Sequence, residues 1–420
     1  MLAGVAHVDF TPAPGLILQG HFSTTPSTGV LHPLEARAAA FCIGERTVIV
    51  ITLDVIGVSI ASTTRIRQRL QSAAGIHPNN VMVAASHTHC APATIDLLGL
   101  TPAPEFLASV EDAAVQCATK AIADLRPARL ALGTSSAYFN VNRRPLPGAT
   151  TQFSVNYSEI CDKRVRILRV DDLRGRPLTL LFHYACHPTT FPGSKGLISS
   201  DYPGVARSYI EHDLGCPALF LPGCFGNIRP LVLDSAGNFI PANAEQLDSI
   251  GRELASATVR AARSIKTADA DLLDARQTEL VLPYSPPPTA AEFRAIQAET
   301  SPAAIAVKHP WAARVLSATA LPAEVRSAMQ LLRIGPLSLL SMPGEPVQEI
   351  GHAIERLAAA VQPDLWPVGY SNDMLGYLVT EPQKIQGGYE PTAYPYFNHP
   401  ATFRDEQFHL EQAAMRLLSV

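Results

Sequence analysis

The chain has 420 residues, 47% of them hydrophobic and 17% charged, enough for a large core in one big α/β domain or in two or three smaller ones. Its 33 Lys and Arg stand against 37 Asp and Glu, a net charge of −4, and without a basic run nucleic acid is not an expected partner. The N-terminus has neither a basic n-region nor a sustained apolar stretch, no run of about 18 apolar residues occurs, and seven cysteines without framework spacing read as reduced thiols, so a cytoplasmic protein without membrane insertion is expected.

In chain order, Asp9-Phe10-Thr11-Pro12 and Gly20-His21-Phe22 fall in a Pro/Gly-punctuated loop. Apolar residues 39–43, the turn Gly44-Glu45-Arg46 and residues 47–52 form a hairpin. Asp54 follows where the strand exits, which suits a functional carboxylate or one that braces a loop. A helix over 59–74, stopped by Gly75, precedes the apolar strand 81–85. That strand runs into Ser86-His87-Thr88-His89-Cys90. Period-two geometry puts His87 and His89 on one face. Two such imidazoles suit a metal, or a metal ligand beside a proton carrier, or two satisfied structural histidines. The β-α-β order favours an α/β fold of mixed sheets flanked by helices.

A helix from 104 to about 124 and a strand at 128–134 lead to Asn140-Val141-Asn142-Arg143-Arg144-Pro145, where Arg144 reads as solvated surface. Strands follow at 165–170 and 178–182. His183 continues the strand pattern and is expected to be packed, whereas Pro188 biases His187 towards an extended backbone. Ser200 or Asp201 caps a helix to about 213. The strand 218–221 enters Gly223-Cys224-Phe225-Gly226-Asn227-Ile228-Arg229-Pro230, whose glycines let the backbone approach a ligand. The loop lacks Gly-Lys-Ser/Thr and is not a phosphate loop.

A helix over 244–266 precedes a change of character, and residues 283–324 read as a helical excursion over one face with no evident chemistry. Strands 329–334 and 337–342 form a hairpin leading to Pro343-Gly344-Glu345-Pro346 and a helix over 347–360. Glu345 is accounted for as a first-turn carboxylate without any metal, and position alone does not decide. A strand at 366–370 leads to Tyr377, then to Tyr389-Glu390. The tail, helical over 404–418, packs on the body of the chain or on a second subunit, which leaves a homo-oligomer open.

Taken together these segments resemble the catalytic N-terminal domain of the neutral/alkaline ceramidase family. The resemblance rests on Asp9 to Pro12, Gly29 to Ala38, Ser86 to His89, Val141-Asn142-Arg143, Ala185 to Pro188, Gly223 to Pro230, Pro343-Gly344-Glu345, and Gly376-Tyr377 with Tyr389-Glu390, in the family's order. It implies one zinc ion per chain held by His87, His187, Glu345 and Tyr377, an N/O donor set acceptable to Zn²⁺. It further implies that His89 moves the proton to a leaving amine and that Arg143 and Tyr389 face the scissile carbonyl.

The chain departs from the family at Gly226-Asn227-Ile228-Arg229-Pro230, where Arg229 occupies the position of the family's proposed serine nucleophile. A guanidinium cannot attack, so metal-activated water is the expected nucleophile. A cation there favours an anionic group, unless Arg229 turns away to pair with a surface acid. Gly226, Asn227 and Arg229 are therefore the expected substrate-binding residues, and the substrate is expected to be a small polar or anionic amide rather than ceramide. The family's C-terminal immunoglobulin-like domain is not expected, and residues 1–420 read as one hydrolase domain. Cleavage of an ester or lactone at the same zinc, and a non-catalytic metal- or ligand-binding homologue, are the competing readings. Cys90, Cys186 and Cys224 read as packing residues.

Overall fold

The computed structural model describes residues 1–149 and 151–419. β1 (Leu2–Asp9) pairs antiparallel with β2 (Glu35–Ile43), and β2 with β3 (Arg46–Leu53). Helix α1 (Ile60–Ala74) then carries the chain to β4 (Val81–Ala85), parallel to β3. Its ends match the sequence signals: the Ser59 hydroxyl accepts from the Ser62 N–H, and Gly75 closes the helix at φ 69°, a left-handed conformation that glycine adopts without penalty. Helix α2 (Pro104–Ala123) leads to the antiparallel run β5 (Arg126–Ser136), β6 (Arg164–Asp172) and β7 (Pro177–Tyr184), and α3 (Asp201–Leu214) to β8 (Ala218–Pro222), parallel to β7.

These strands form one sheet in the order β8-β7-β6-β5-β1-β2-β3-β4. By pairing sense alone, β4 and β7 run in opposite directions. A twist of roughly 20–25° per neighbour turns one relative to the other by about 120–150° over the six steps between them. The sheet is curled accordingly, so that β8 comes back against β2, β3 and β4. Segments leaving β4 and β7 can therefore meet.

Helix α4 (Ala244–Ser264) precedes a second sheet of β9 (Leu273–Pro283), then, past helices α5 (Ala290–Ala298) and α6 (His309–Ser317), β10 (Glu324–Ile334) and β11 (Leu337–Ser341). After α7 (Gln348–Ala358), β12 (Leu365–Val368) joins parallel to β11. Helix α8 (Glu406–Leu418) ends the described chain. Among the described residues no helix is long and apolar enough to cross a membrane.

The result is a mixed α/β fold in four layers. Ala36, Ala38 and Ala40 of β2 face Ala114, Ala118 and Ala121 of α2, while Ala39 and Phe41 on the other side pack with Leu337 and Leu339 of the second sheet. Leu280, Leu331 and Leu340 on the far face of that sheet bury against Ile350 and Ile354 of α7 and Leu410 of α8. Small residues allow the close α2 approach: a Cβ on Gly4 would lie 2.1 Å from the Ala121 carbonyl oxygen. All seven cysteines are free thiols, and Cys90, Cys186 and Cys224 are buried.

Asp54 is a brace. Its buried carboxylate accepts from Arg207 at 2.8 and 2.6 Å and from the Glu35 N–H at 3.0 Å, joining the end of β3 to α3. Asp201, the first residue of α3, has φ 53°. It accepts from the Phe191 N–H at 3.0 Å and the Tyr202 N–H at 2.6 Å, tying the helix start to the segment that follows His187. Burial pushes its carboxyl up to about 6.

Asp54→Ala should leave the buried Arg207 charge with only its longer contact to Glu35 at 3.3 Å and lower stability by up to about 3 kcal/mol, read from the midpoint of chemical unfolding; Arg207→Met in that background should recover part of the loss. Because Asp201 has a higher pKa folded than unfolded, its contribution is present at pH 4 and fades as pH rises through about 6. The stability of wild type relative to Asp201→Asn should therefore decline by on the order of 2 kcal/mol between pH 4 and 7, measured by unfolding at a series of pH values.

Candidate metal centre and catalytic cavity

Three histidines converge from two loops. His87 does not sit on a continued strand: β4 ends at Ala85, and His87 adopts φ 68°. The period-two expectation is thus corrected, because a left-handed residue rather than strand alternation turns the chain. The convergence still occurs, with His87 Nε2 3.1 Å from His89 Nε2.

Each ring is oriented through its other nitrogen. His87 Nδ1 lies 2.6 Å from the Ile56 carbonyl oxygen, His187 Nδ1 2.7 Å from that of Phe225, and His89 Nδ1 3.0 Å from that of Gly20. A carbonyl oxygen only accepts, so each Nδ1 carries the proton and each Nε2 presents a lone pair. Burial, then Arg143, pushes His187 down to about 3. Burial, then His87, His21 and His187, pushes His89 well below its usual value.

Glu345 completes the set. It lies in a two-residue strand, Glu345–Pro346, paired in parallel with Tyr377–Leu378, so it is not in the first turn of α7, which starts at Gln348. Its Oε2 is 3.3 Å from His87 Nε2 and 3.2 Å from His187 Nε2. Burial alone would raise this carboxyl, whereas positive charge at the His87 and His187 rings would hold it well below the carboxylate range. Both His187 Nε2 and Glu345 Oε2 are buried without a hydrogen-bond partner.

Lone pairs facing one another at 3.1 Å, beside orphaned buried acceptors, call for a cation. The separations of 3.3 and 3.2 Å from Glu345 to His87 and His187 fit the edges of a tetrahedron whose metal–ligand bonds are about 2.0–2.1 Å. One ring nitrogen from each of His87, His89 and His187 lies within 4.8 Å of the other two, a group that could hold a metal ion. Tyr377 stacks on His187 with ring centroids 6.4 Å apart and accepts from Arg143 Nη2 at 3.0 Å. Burial, then Glu345, holds its phenol well above the usual value.

Behind Tyr377, one carboxylate holds two guanidiniums. Glu390 accepts from Arg143 Nε at 2.9 Å and from Arg144 Nη1 at 2.8 Å. Arg144 is therefore buried and structural, not solvated as expected; it also donates to the Gly387 carbonyl at 2.6 Å. Arg143 donates Nη2 to the Gly226 carbonyl at 2.7 Å. Despite burial, Tyr377 and Glu390 hold it firmly charged.

A cavity of about 340 Å³ opens onto His89, Arg143, Arg229, Tyr377 and Tyr389, with Phe22, Leu98 and Phe153 among its apolar walls. Arg229 faces it. Its guanidinium carbon is 4.2 Å from the Phe239 ring centroid, and burial, then Arg143, pushes it down to about 10. The alternative of pairing with a surface acid is not what the structure shows. Gly226 and Asn227 need correction as substrate contacts, because both are enclosed in the framework. Gly226 donates its N–H to Pro346 at 2.9 Å, and a Cβ there would meet the Glu345 carbonyl oxygen at 2.6 Å. Asn227 accepts from the Gln348 N–H at 2.9 Å and donates to Glu349. His183, as expected, is packed, with Nε2 3.0 Å from the Pro367 carbonyl oxygen.

Sequence reasoning missed His21, Glu390 and the excursion. His21 lines the cavity, with its ring centroid 5.1 Å from that of His89. Glu390 follows Tyr389 in the sequence and carries no expected role there, although two adjacent arginines, Arg143 and Arg144, call for a carboxylate. Ala303, inside the excursion, contributes to the cavity wall.

The model of the neutral/alkaline non-lysosomal ceramidase N-terminal domain matches residues 1–225, a stretch that includes His87, His89, Arg143 and His187. The neutral ceramidase of Pseudomonas aeruginosa is 28% identical over 245 residues, 54% of this chain and 36% of that protein. The neutral ceramidase of Mycobacterium tuberculosis is 24% identical over 392 residues, 74% of this chain and 59% of that protein. The chain thus spans about a third to three fifths of the length of these relatives. The crystal structure of the P. aeruginosa neutral ceramidase superposes with a TM-score of 0.79 at 21% identity, over 99% of this chain and 74% of that one. A ceramidase complexed with C2 superposes with a TM-score of 0.77 at 19% identity, over 99% and 75%. The fold is shared.

Gly226→Ala alters no donor atom, yet its methyl group would press the Glu345 segment out of place. It should cut metal retention at least about tenfold, as for an outer-shell change, measured as metal per chain after dialysis against a weak chelator.

Proposed function

The chain belongs to the neutral/alkaline non-lysosomal ceramidase family, and from that premise we propose that it is a zinc-dependent hydrolase of a C–N amide bond, acting on a small polar or anionic substrate rather than ceramide. The observation that carries this reading is the convergence of unprotonated imidazole nitrogens and the Glu345 carboxylate at one buried point beside a cavity.

His87, His187, Glu345 and Tyr377 would hold the ion. Zinc there would supply a water activated at neutral pH and polarise the substrate carbonyl. His89 has a different task because it is the one of the three histidines that is not fully buried. It lines the cavity, and the Gly20 carbonyl fixes its ring. From there it takes the proton of the attacking water and delivers it to the leaving nitrogen, the step that separates amide from ester cleavage.

Arg143 and Tyr389 face the same cavity. Arg143 spends Nε on Glu390 and Nη2 on Gly226 and Tyr377, which leaves Nη1 to donate to the oxygen that gains charge, together with the Tyr389 hydroxyl. No Asp or Glu is among the described residues that line the cavity, and this cationic character supports a polar or anionic substrate.

Elemental analysis should find about one zinc per chain in wild type and none in His187→Ala or Glu345→Ala. His89→Ala should retain zinc yet lose roughly 100-fold or more in kcat/KM on amides, with a much smaller loss on activated esters. A zinc-loaded wild type that cleaves esters and no amide would overturn the amide assignment, and one that never takes up zinc would overturn the metal.

A further inference from the structure

We propose that Arg229 forms a subsite for a carboxylate on the substrate, so that the amide cleaved belongs to an acylated amino acid or to a monoamide of a dicarboxylic acid. This rests on the amide-hydrolase reading and adds the chemical group that selects the substrate.

The Arg229 guanidinium is uncommitted. Its Nε is buried without a hydrogen-bond partner, and no side-chain hydrogen bond to another described residue engages its terminal nitrogens, although the residue lines the cavity. A ligand with acceptor oxygens in the cavity would satisfy those terminal N–H groups.

The surroundings of Arg229 select the shape of that ligand. Phe239, at 4.2 Å, and Phe153, at 5.9 Å from the guanidinium carbon, occupy apolar flanks of the group and leave hydrogen bonding to its planar fork. That fork matches a carboxylate in two parallel bonds. Charge favours an anion. Glu390 neutralises one charge of the Arg143–Arg144 pair, whereas among the described residues no carboxylate pairs with Arg229.

Position ties the subsite to the chemistry. Arg143 and Arg229 approach the same Phe153 ring, at 4.9 and 5.9 Å. A carboxylate on Arg229 and a carbonyl presented to Arg143 can thereby belong to one small substrate. Arg229 thus turns the position of the family's proposed serine into a recognition element.

The test uses two matched pairs: N-hexanoylglycine against N-hexanoylglycinamide, and the monoanilide of glutaric acid against pentananilide. One pair carries the carboxylate on the amine side, the other on the acyl side. With zinc-loaded wild type, at least one acid should exceed its neutral partner in kcat/KM by roughly 100-fold or more. Arg229→Gln should collapse that ratio to within a few-fold, and Arg229→Lys should restore part of it. Calorimetry of the same probes on metal-free protein reads binding without turnover: the preferred acid should bind at least about tenfold more tightly than its partner, and Arg229→Gln should erase the difference. Equal turnover and equal binding of acid and neutral partner would overturn the carboxylate subsite and leave amide hydrolysis standing. Charge-dependent binding through Arg229 with no cleavage of any amide would sink the hydrolase reading and keep the subsite.

Discussion

The rings of His87, His89 and His187 are aimed by main-chain carbonyls, and the site depends on those oxygens staying where they are. Ile56 follows β3, Gly20 lies in the N-terminal loop, and Phe225 lies beyond β8. Each is therefore fixed by the layered core rather than by a neighbouring side chain. Fixing Nδ1 as the donor also fixes Nε2 as the lone pair. The centre is thus prepared for a cation before one arrives, with its mutual repulsion and orphaned acceptors sustained by the packing around it.

A second layer of charge surrounds that centre. Glu390 serves two arginines at once, and one of them bonds to Tyr377 and to the Gly226 carbonyl. Gly226 in turn presses against the Glu345 strand. The metal-facing carboxylate, the cavity-facing guanidinium and the glycine turn are one mechanical unit. Asp54 and Arg207 play the analogous part at the other side, where β3 meets α3.

Much of this was legible in the sequence because the signals were local. The caps of α1, the apolar runs of β4 and β7 and the residues that leave them follow from periodicity and turn chemistry. What was not legible depended on partners far away in the chain. Arg144 looks like a surface residue until Glu390, 246 positions later, is brought beneath it. Gly226 and Asn227 look like a ligand cradle until the Glu345–Pro346 strand fills the space. His87 obeys no strand alternation, since its backbone sign is set by the packed loop around it. Arg229 could be placed at the site by motif order, but its aromatic flanks, Phe153 and Phe239, carry no sequence signature.

The curl of the eight-stranded sheet has a consequence for how the protein is made. The histidines come from residues 87–187, whereas Glu345 and Tyr377 come from the short strand pair beyond the second sheet. The proposed donor set thus joins groups more than 150 residues apart in sequence, contacts whose loop-closure entropy makes them slow to form. On that proposal a nascent chain could not retain an ion until both sheets had docked. Metal uptake would then be a late step in biogenesis, and metal retention would report that the whole tertiary structure, not one half of it, had been reached.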